Sequence, residues 1–143
     1  MLEYLVICDS SGLPIYTRIF HQSKTFDEPS LLSDLISAID SLGRSLFSKK
    51  TAVITYGEDN ITSLEESVSK IIVISKDLPS EDKHVNFVFV SSGDISLKAL
   101  GEIATTIYIE IKQLLRISHP DYKKIQLSTD KIIDNNFKGL INF

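Results

Sequence analysis

The sequence predicts a single α+β layered domain over residues 1–143, built on a mainly antiparallel sheet of five or six strands. Three observations carry that reading. Residues 2–20, LEYLVICDSSGLPIYTRIF, read as two strands around a tight turn. Two long apolar stripes at helical spacing, near 29–47 and 97–117, each need a sheet face to cover. Between them lie short β-branched runs bounded by turn residues.

In the first strand Leu2, Tyr4, Val6 and Cys8 alternate with Leu5 and Ile7, so both faces are apolar, as in a central strand. Asp9-Ser10-Ser11-Gly12 supplies turn chemistry, with a glycine that tolerates positive φ. Pro14 opens the second strand, where its missing N–H costs least. There Ile15, Thr17 and Ile19 alternate with Tyr16, Arg18 and Phe20. The polar stretch 21–28 is a loop, and Pro29 suits a first helical turn. From there to about Phe47, Leu31, Leu35, Leu42 and Leu46, together with Ile39, form a helical stripe, widened by Leu32, Ile36 and Phe47. Gly43 inside it costs roughly 1 kcal/mol against alanine, which points to a close approach to the sheet.

Thr51–Tyr56 is a third strand, and 61–67 a weak one. The unbroken runs at 70–75 and 85–90 suit strands covered on both faces. Asp94 or Ser96 caps the next helix, whose stripe of Leu97, Leu100, Ile103, Ala104, Ile107, Ile111 and Leu114 continues to Ile117. TTIYIEI at 105–111 also alternates like a strand, but the length of the whole segment decides for helix. Pro120 stops it near His119. Asp121 or Ser128 caps a last, shorter element carrying Ile132, Ile133, Phe137, Leu140 and Ile141.

Composition narrows the function classes. Hydrophobic residues are 43% and charged residues 24%, ordinary for a globular domain. The net charge of -4 and the lack of a basic stripe argue against nucleic acid as a partner. The single cysteine, Cys8, excludes an internal disulfide and reads as a small buried hydrophobe. No apolar run reaches the ~20 residues that span a bilayer. The N-terminus lacks signal-peptide features, Leu2 stands where myristoylation needs glycine, and no C-terminal cysteine invites prenylation. A cytoplasmic protein, meeting a membrane peripherally or through a partner, is the expectation.

The usual chemical constellations are missing. His21, His84 and His119 show no metal-ligand spacing, and no nucleophile elbow, P-loop or dinucleotide fingerprint occurs among the 6 glycines. No cofactor or catalytic residue is predicted. Asp9-Ser10-Ser11-Gly12 reads as a hairpin turn before it reads as a phosphate or metal site, and Glu65-Glu66 and Glu81-Asp82 read as solvated loop charge. The C-terminal stripe of Phe137, Leu140, Ile141 and Phe143 either docks on the domain's own core or docks reversibly and yields to a partner.

The element order and several phrases resemble the longin domain. LEYLVICDSSGLPIYTR resembles its first hairpin, the helix ending LGRSLF sits where its first helix does, and IVISKD at 72–77 resembles a later strand ending in aspartate. IYIEI at 107–111 followed by HPDY at 119–122 is similar to the last helices of longin-like subunits of the vesicle-tethering TRAPP complex. The chain departs from the pattern in VNFVFV at 85–90, which looks additional to or displaced from the usual five strands, and in the long loop 77–83. It also lacks the extra first helix of the related roadblock family and any SNARE-type heptads.

The resemblance implies a profilin-like layered fold: a five-stranded antiparallel sheet with one helix on one face and two on the other. It also implies a non-enzymatic interaction module, an adaptor or dimerising platform for small GTPases or trafficking complexes. Partners would be a small GTPase, another longin or roadblock domain, or a second copy. An open sheet edge or the flank of helix 29–47, with Leu32, Ile36 and Phe47, would supply the contact. A small-ligand sensing domain of similar shape is the alternative, followed by an enzyme borrowing cofactor contacts from its backbone.

Overall fold

The computed structural model describes residues 2–21, 29–56, 69–78, 83–93, 95–116, 119–137 and 139, with backbone alone for 29–33 and Phe47. Strands β1 (Leu2–Asp9), β2 (Pro14–Ile19), β3 (Thr51–Tyr56), β4 (Ser69–Asp77) and β5 (His84–Ser92) form one sheet in the order β2-β1-β5-β4-β3, antiparallel throughout. Helix α1 (Pro29–Leu42) precedes β3, while α2 (Leu97–Ile111) and α3 (Tyr122–Asn136) follow β5. VNFVFV therefore belongs to β5, a central strand, and the weak strand expected at 61–67 lies outside the described residues.

Two cores follow from the alternation of β1, β4 and β5. Tyr4, Val6, Cys8, Ile71, Val73, Val88 and Val90 face α1, which inserts Ile36 among them. Leu5, Ile7, Ile72, Ile74, Val85, Phe87 and Phe89 face α2 and α3, which contribute Leu100, Ile103, Ala104, Ile107, Ile111, Ile125 and Ile133. One helix thus covers one face and two cover the other. Each fully buried aliphatic or phenyl side chain in these layers contributes about 1.5–3 kcal/mol by leaving water.

Two bulges depart from simple alternation. The register shifts between Leu2 and Tyr4, so Leu2 joins Leu5 and Ile7 rather than Tyr4. A second shift between Ile7 and Cys8 places Ile15 and Tyr16 in the same core. An extra residue on one strand turns the following side chain over, and hydrophobicity alone does not mark where it is inserted.

The helices also differ in detail from expectation. After Leu42 the chain widens into a π-helical segment, Gly43–Phe47, closed by Ser48 at φ 53, whose N–H reaches the Gly43 carbonyl. A Cβ on Gly43 would meet only the Lys49 carbonyl at 3.5 Å, an ordinary contact, so no close approach to the sheet requires this glycine. Ser96 caps α2 by accepting from the Ala99 N–H at 3.2 Å, and the other candidate, Asp94, lies outside the described residues. The helix ends at Ile111, and an N–H bond from Leu115 to the Ile111 carbonyl carries one further turn. Thr105–Ile111 is helical: Ile107 and Ile111 are buried and Ile109 is exposed. Asp121 caps α3, which at 15 residues equals α2 rather than being shorter. Among the described residues, no helix is long and apolar enough to cross a membrane.

Candidate functional site

The outer side of α1 is where apolar surface and helical geometry disagree with simple packing. Ile36 is 1% exposed and belongs to the α1-side core with Val6, Val73 and Val88. It is therefore not on the exposed flank where a partner contact was expected. Leu35, Leu42 and Leu46, expected to be the core stripe, are instead 42%, 56% and 68% exposed. Their spacings of seven and four put them on a common side of the helix. The helix carries two apolar arcs but has only one sheet to cover, and among the described side chains of α1 the β-branched Ile36 is the one buried in the core. Leu32 lies on the α1 backbone and Phe47 closes the π-helical segment, but their side chains lie outside the described residues.

At the other end of the chain, Phe137 forms the C-cap of α3 and packs, half-buried, against the α2–α3 core. Leu140 and Ile141, the other members of that predicted contact, lie outside the described residues.

A polar cluster fixes the end of α1 to the sheet. Asp40 bonds Arg44 at 3.1 Å and the His84 imidazole. Arg44 continues to Asp77 at 3.1 Å and to the Ser75 hydroxyl, and Lys50 closes on the other oxygen of Asp77. Tyr108 of α2 donates its hydroxyl to the Asp77 carbonyl. The Lys50 ammonium, helped by Arg44 and opposed by slight burial, holds the Asp77 carboxyl below its ordinary range. The Ser10 hydroxyl accepts from the His84 N–H at 2.7 Å and donates to its carbonyl at 2.9 Å, tying in the β1–β2 turn. Every charge here has an opposite partner, so the cluster acts as a clamp that sets how α1 sits on β4 and β5. The i,i+4 spacing of Asp40 and Arg44 was visible, but the partners Asp77 and His84 are distant in the chain.

A second clamp joins α3 to β2. The buried Tyr16 donates to Asp130 at 2.6 Å, while Arg18 reaches Asp130 at 3.3 Å and Asp134 at 2.6 Å. Burial, then the Asp130 carboxylate that accepts its proton, pushes the Tyr16 hydroxyl well above the usual phenol range.

The Asp9 carboxylate accepts from the N–H groups of Ser11 and Leu13, both at 2.9 Å, and from the Ser11 hydroxyl at 2.6 Å. With Gly12 at φ 89 this is a self-satisfied turn. Cys8 is buried on the α1 side of β1. Among the described residues, no three His, Cys, Asp or Glu side chains gather as a metal site.

A scan of protein-family models and a search of curated proteins each find no match to this chain.

Proposed function

We propose that this chain is a longin-like, non-enzymatic interaction module, an adaptor or dimerising platform for small GTPases in a trafficking-type assembly. The observation that carries the reading is the outward apolar side of α1, formed by Leu35, Leu42 and Leu46 while Ile36 anchors the same helix to the sheet. A helix that is apolar on both sides has a second surface to cover. The layering of one helix against two across a β2-β1-β5-β4-β3 sheet supports the longin likeness carried by the sequence phrases. The clamp of Asp40, Arg44, Lys50, Asp77 and His84 supports it as well, because its side chains are spent on one another and tie the end of α1 to the sheet. The partner is a small GTPase or another longin or roadblock chain, and any recruitment to a membrane surface runs through that partner.

The test is capture on immobilised protein from a native lysate, with GDP and then with a non-hydrolysable GTP analogue. Retention of a small GTPase or a longin or roadblock chain supports the reading, and nucleotide dependence separates effector from exchange factor. A clean column with a monodisperse monomer in solution contradicts it.

A further inference from the structure

The opposite face of the sheet carries a second surface. The two edge strands are not protected alike. β2 begins with Pro14, carries Arg18, and pairs with β1 through a bulge. β3, TAVITY, has no proline and no charge, and it pairs with β4 in unbroken register from Thr51↔Ile74 to Tyr56↔Ser69. Edge strands without such devices are templates for a further strand.

The hydrogen-bond phase identifies the groups that no strand pairs among the described residues. The Ser75 N–H donates to the Lys50 carbonyl at 2.8 Å, so Lys50 turns its backbone toward β4. Alternation then turns Ala52 and Ile54 toward β4 as well, and leaves the N–H and C=O of Thr51, Val53 and Thr55 pointing off the edge.

The side chains of those three residues share the face of Ile72 and Ile74, the α2 side. There α2 stops short of β3, leaving a groove of about 560 Å³ lined by Thr51, Ile74, Lys76, Lys98, Gly101 and Thr105, among others. Val53 is 45% exposed on this side, and a Cβ on Gly101 would meet nothing within 4 Å.

Charge selects the occupant. Lys76 of β4 and Lys98 of α2 line the groove, and Lys70, opposite Thr55, lies on the same face. None of the three is ion-paired among the described residues, whereas Lys50 and the arginines Arg18 and Arg44 are. Glu102 is the single carboxylate lining the groove among the described residues. In a chain of net charge -4 this is a local excess of positive charge. Pairing through the edge strand of a second copy brings no charge match, since among the described residues neither edge strand, β2 or β3, contains a carboxylate.

We infer that the β3–α2 groove takes an extended acidic segment of another protein, added as a sixth strand on Thr51, Val53 and Thr55 with its carboxylates at Lys70, Lys76 and Lys98. The main-chain ladder supplies affinity without sequence preference, and the lysines select an acidic segment. This surface is separate from the outer side of α1, so either can fail alone.

The probe is a fluorescein-labelled peptide of alternating glutamate and valine, about eight residues long, the span of a short strand. Its lysine–valine counterpart is the control, and anisotropy is read against the full chain. The acidic peptide binds at least about tenfold more tightly than the basic one and weakens as salt rises. Lys76→Glu with Lys98→Glu reverses that preference. Gly101→Leu raises Tm, because leucine favours helix more than glycine does, yet abolishes binding by filling the groove. On peptide binding, amide exchange slows at Thr51, Val53 and Thr55 rather than at Ala52 and Ile54. The inference is overturned if both peptides bind alike, if Gly101→Leu binds as wild type does, or if protection appears on another strand. Self-association that protects Val53 while the acidic peptide fails to bind overturns it in favour of a second copy.

Discussion

Ile36 and Leu46 lie on the same helical stretch and are both large aliphatics, yet the structure assigns them opposite roles. Replacing Ile36 by alanine removes three carbons from a fully buried position between β1, β4 and β5. Such substitutions cost about 2–5 kcal/mol, the spread reflecting how far the site collapses. For a domain of this size each kcal/mol lowers Tm by roughly 3 °C, so a drop of about 6–15 °C is expected. Leu46 has only about a third of its surface buried. Full burial of a leucine is worth about 2 kcal/mol, so Leu46→Ala costs less than about 1 kcal/mol, and Tm moves by no more than about 3 °C. Thermal unfolding followed by far-ultraviolet circular dichroism, with urea titration as a second measure, separates the two. Equal losses at both positions would refute the reasoning, since α1 would then be rotated about its axis and its outer side would not be free for a partner.

Thr129 is completely buried in α3, and its hydroxyl oxygen finds no partner among the described residues. Thr129→Val, nearly the same shape, removes that desolvation cost and should stabilise the protein by about 1–3 kcal/mol, read as a higher urea midpoint. The Tyr16 hydroxyl is raised in the folded state, so its contribution is present below the ordinary phenol value near 10 and fades as pH climbs above it. Wild type should therefore exceed Tyr16→Phe in stability at neutral pH, and the gap should narrow in melts at rising pH above about 10. Asp77 has the opposite sign: its carboxyl is lowered, so its contribution is present above about pH 4 and is lost as pH falls through the folded value. With half of the side chain exposed, solvent screening limits that contribution to about 0.5 kcal/mol. Asp77→Asn should remove this acid-side loss of stability, a difference that added salt also reduces.

The strands were legible because β1 and β2 alternate around a turn and β3, β4 and β5 are short apolar runs, the last three beginning and ending within about two residues of where their composition places them. Their order in the sheet was not legible, because nothing local marks β1 as the neighbour of β5. The direction in which α1 faces was misread for a physical reason. Leu35, Leu42 and Leu46 on one arc and Ile36 on another are equally apolar, and periodicity gives the arcs without saying which meets the sheet. The bulges beside Tyr4 and Cys8 left no trace because both neighbours of each inserted position suit a strand. The clamps were invisible for a different reason. Asp40 with His84, and Tyr16 with Asp130, are joined by topology rather than by spacing.

The central claim is that this fold presents the outer side of α1 to another protein. The most direct measurement is paired capture from one native lysate on wild-type protein and on a variant carrying Leu42→Glu and Leu46→Glu. Both substitutions fall on largely exposed positions, so Tm should hold within about 3 °C. The prediction is that a small GTPase or a longin or roadblock chain is retained by wild type and lost from the variant. Retention of the same protein in equal yield by both columns would contradict the claim.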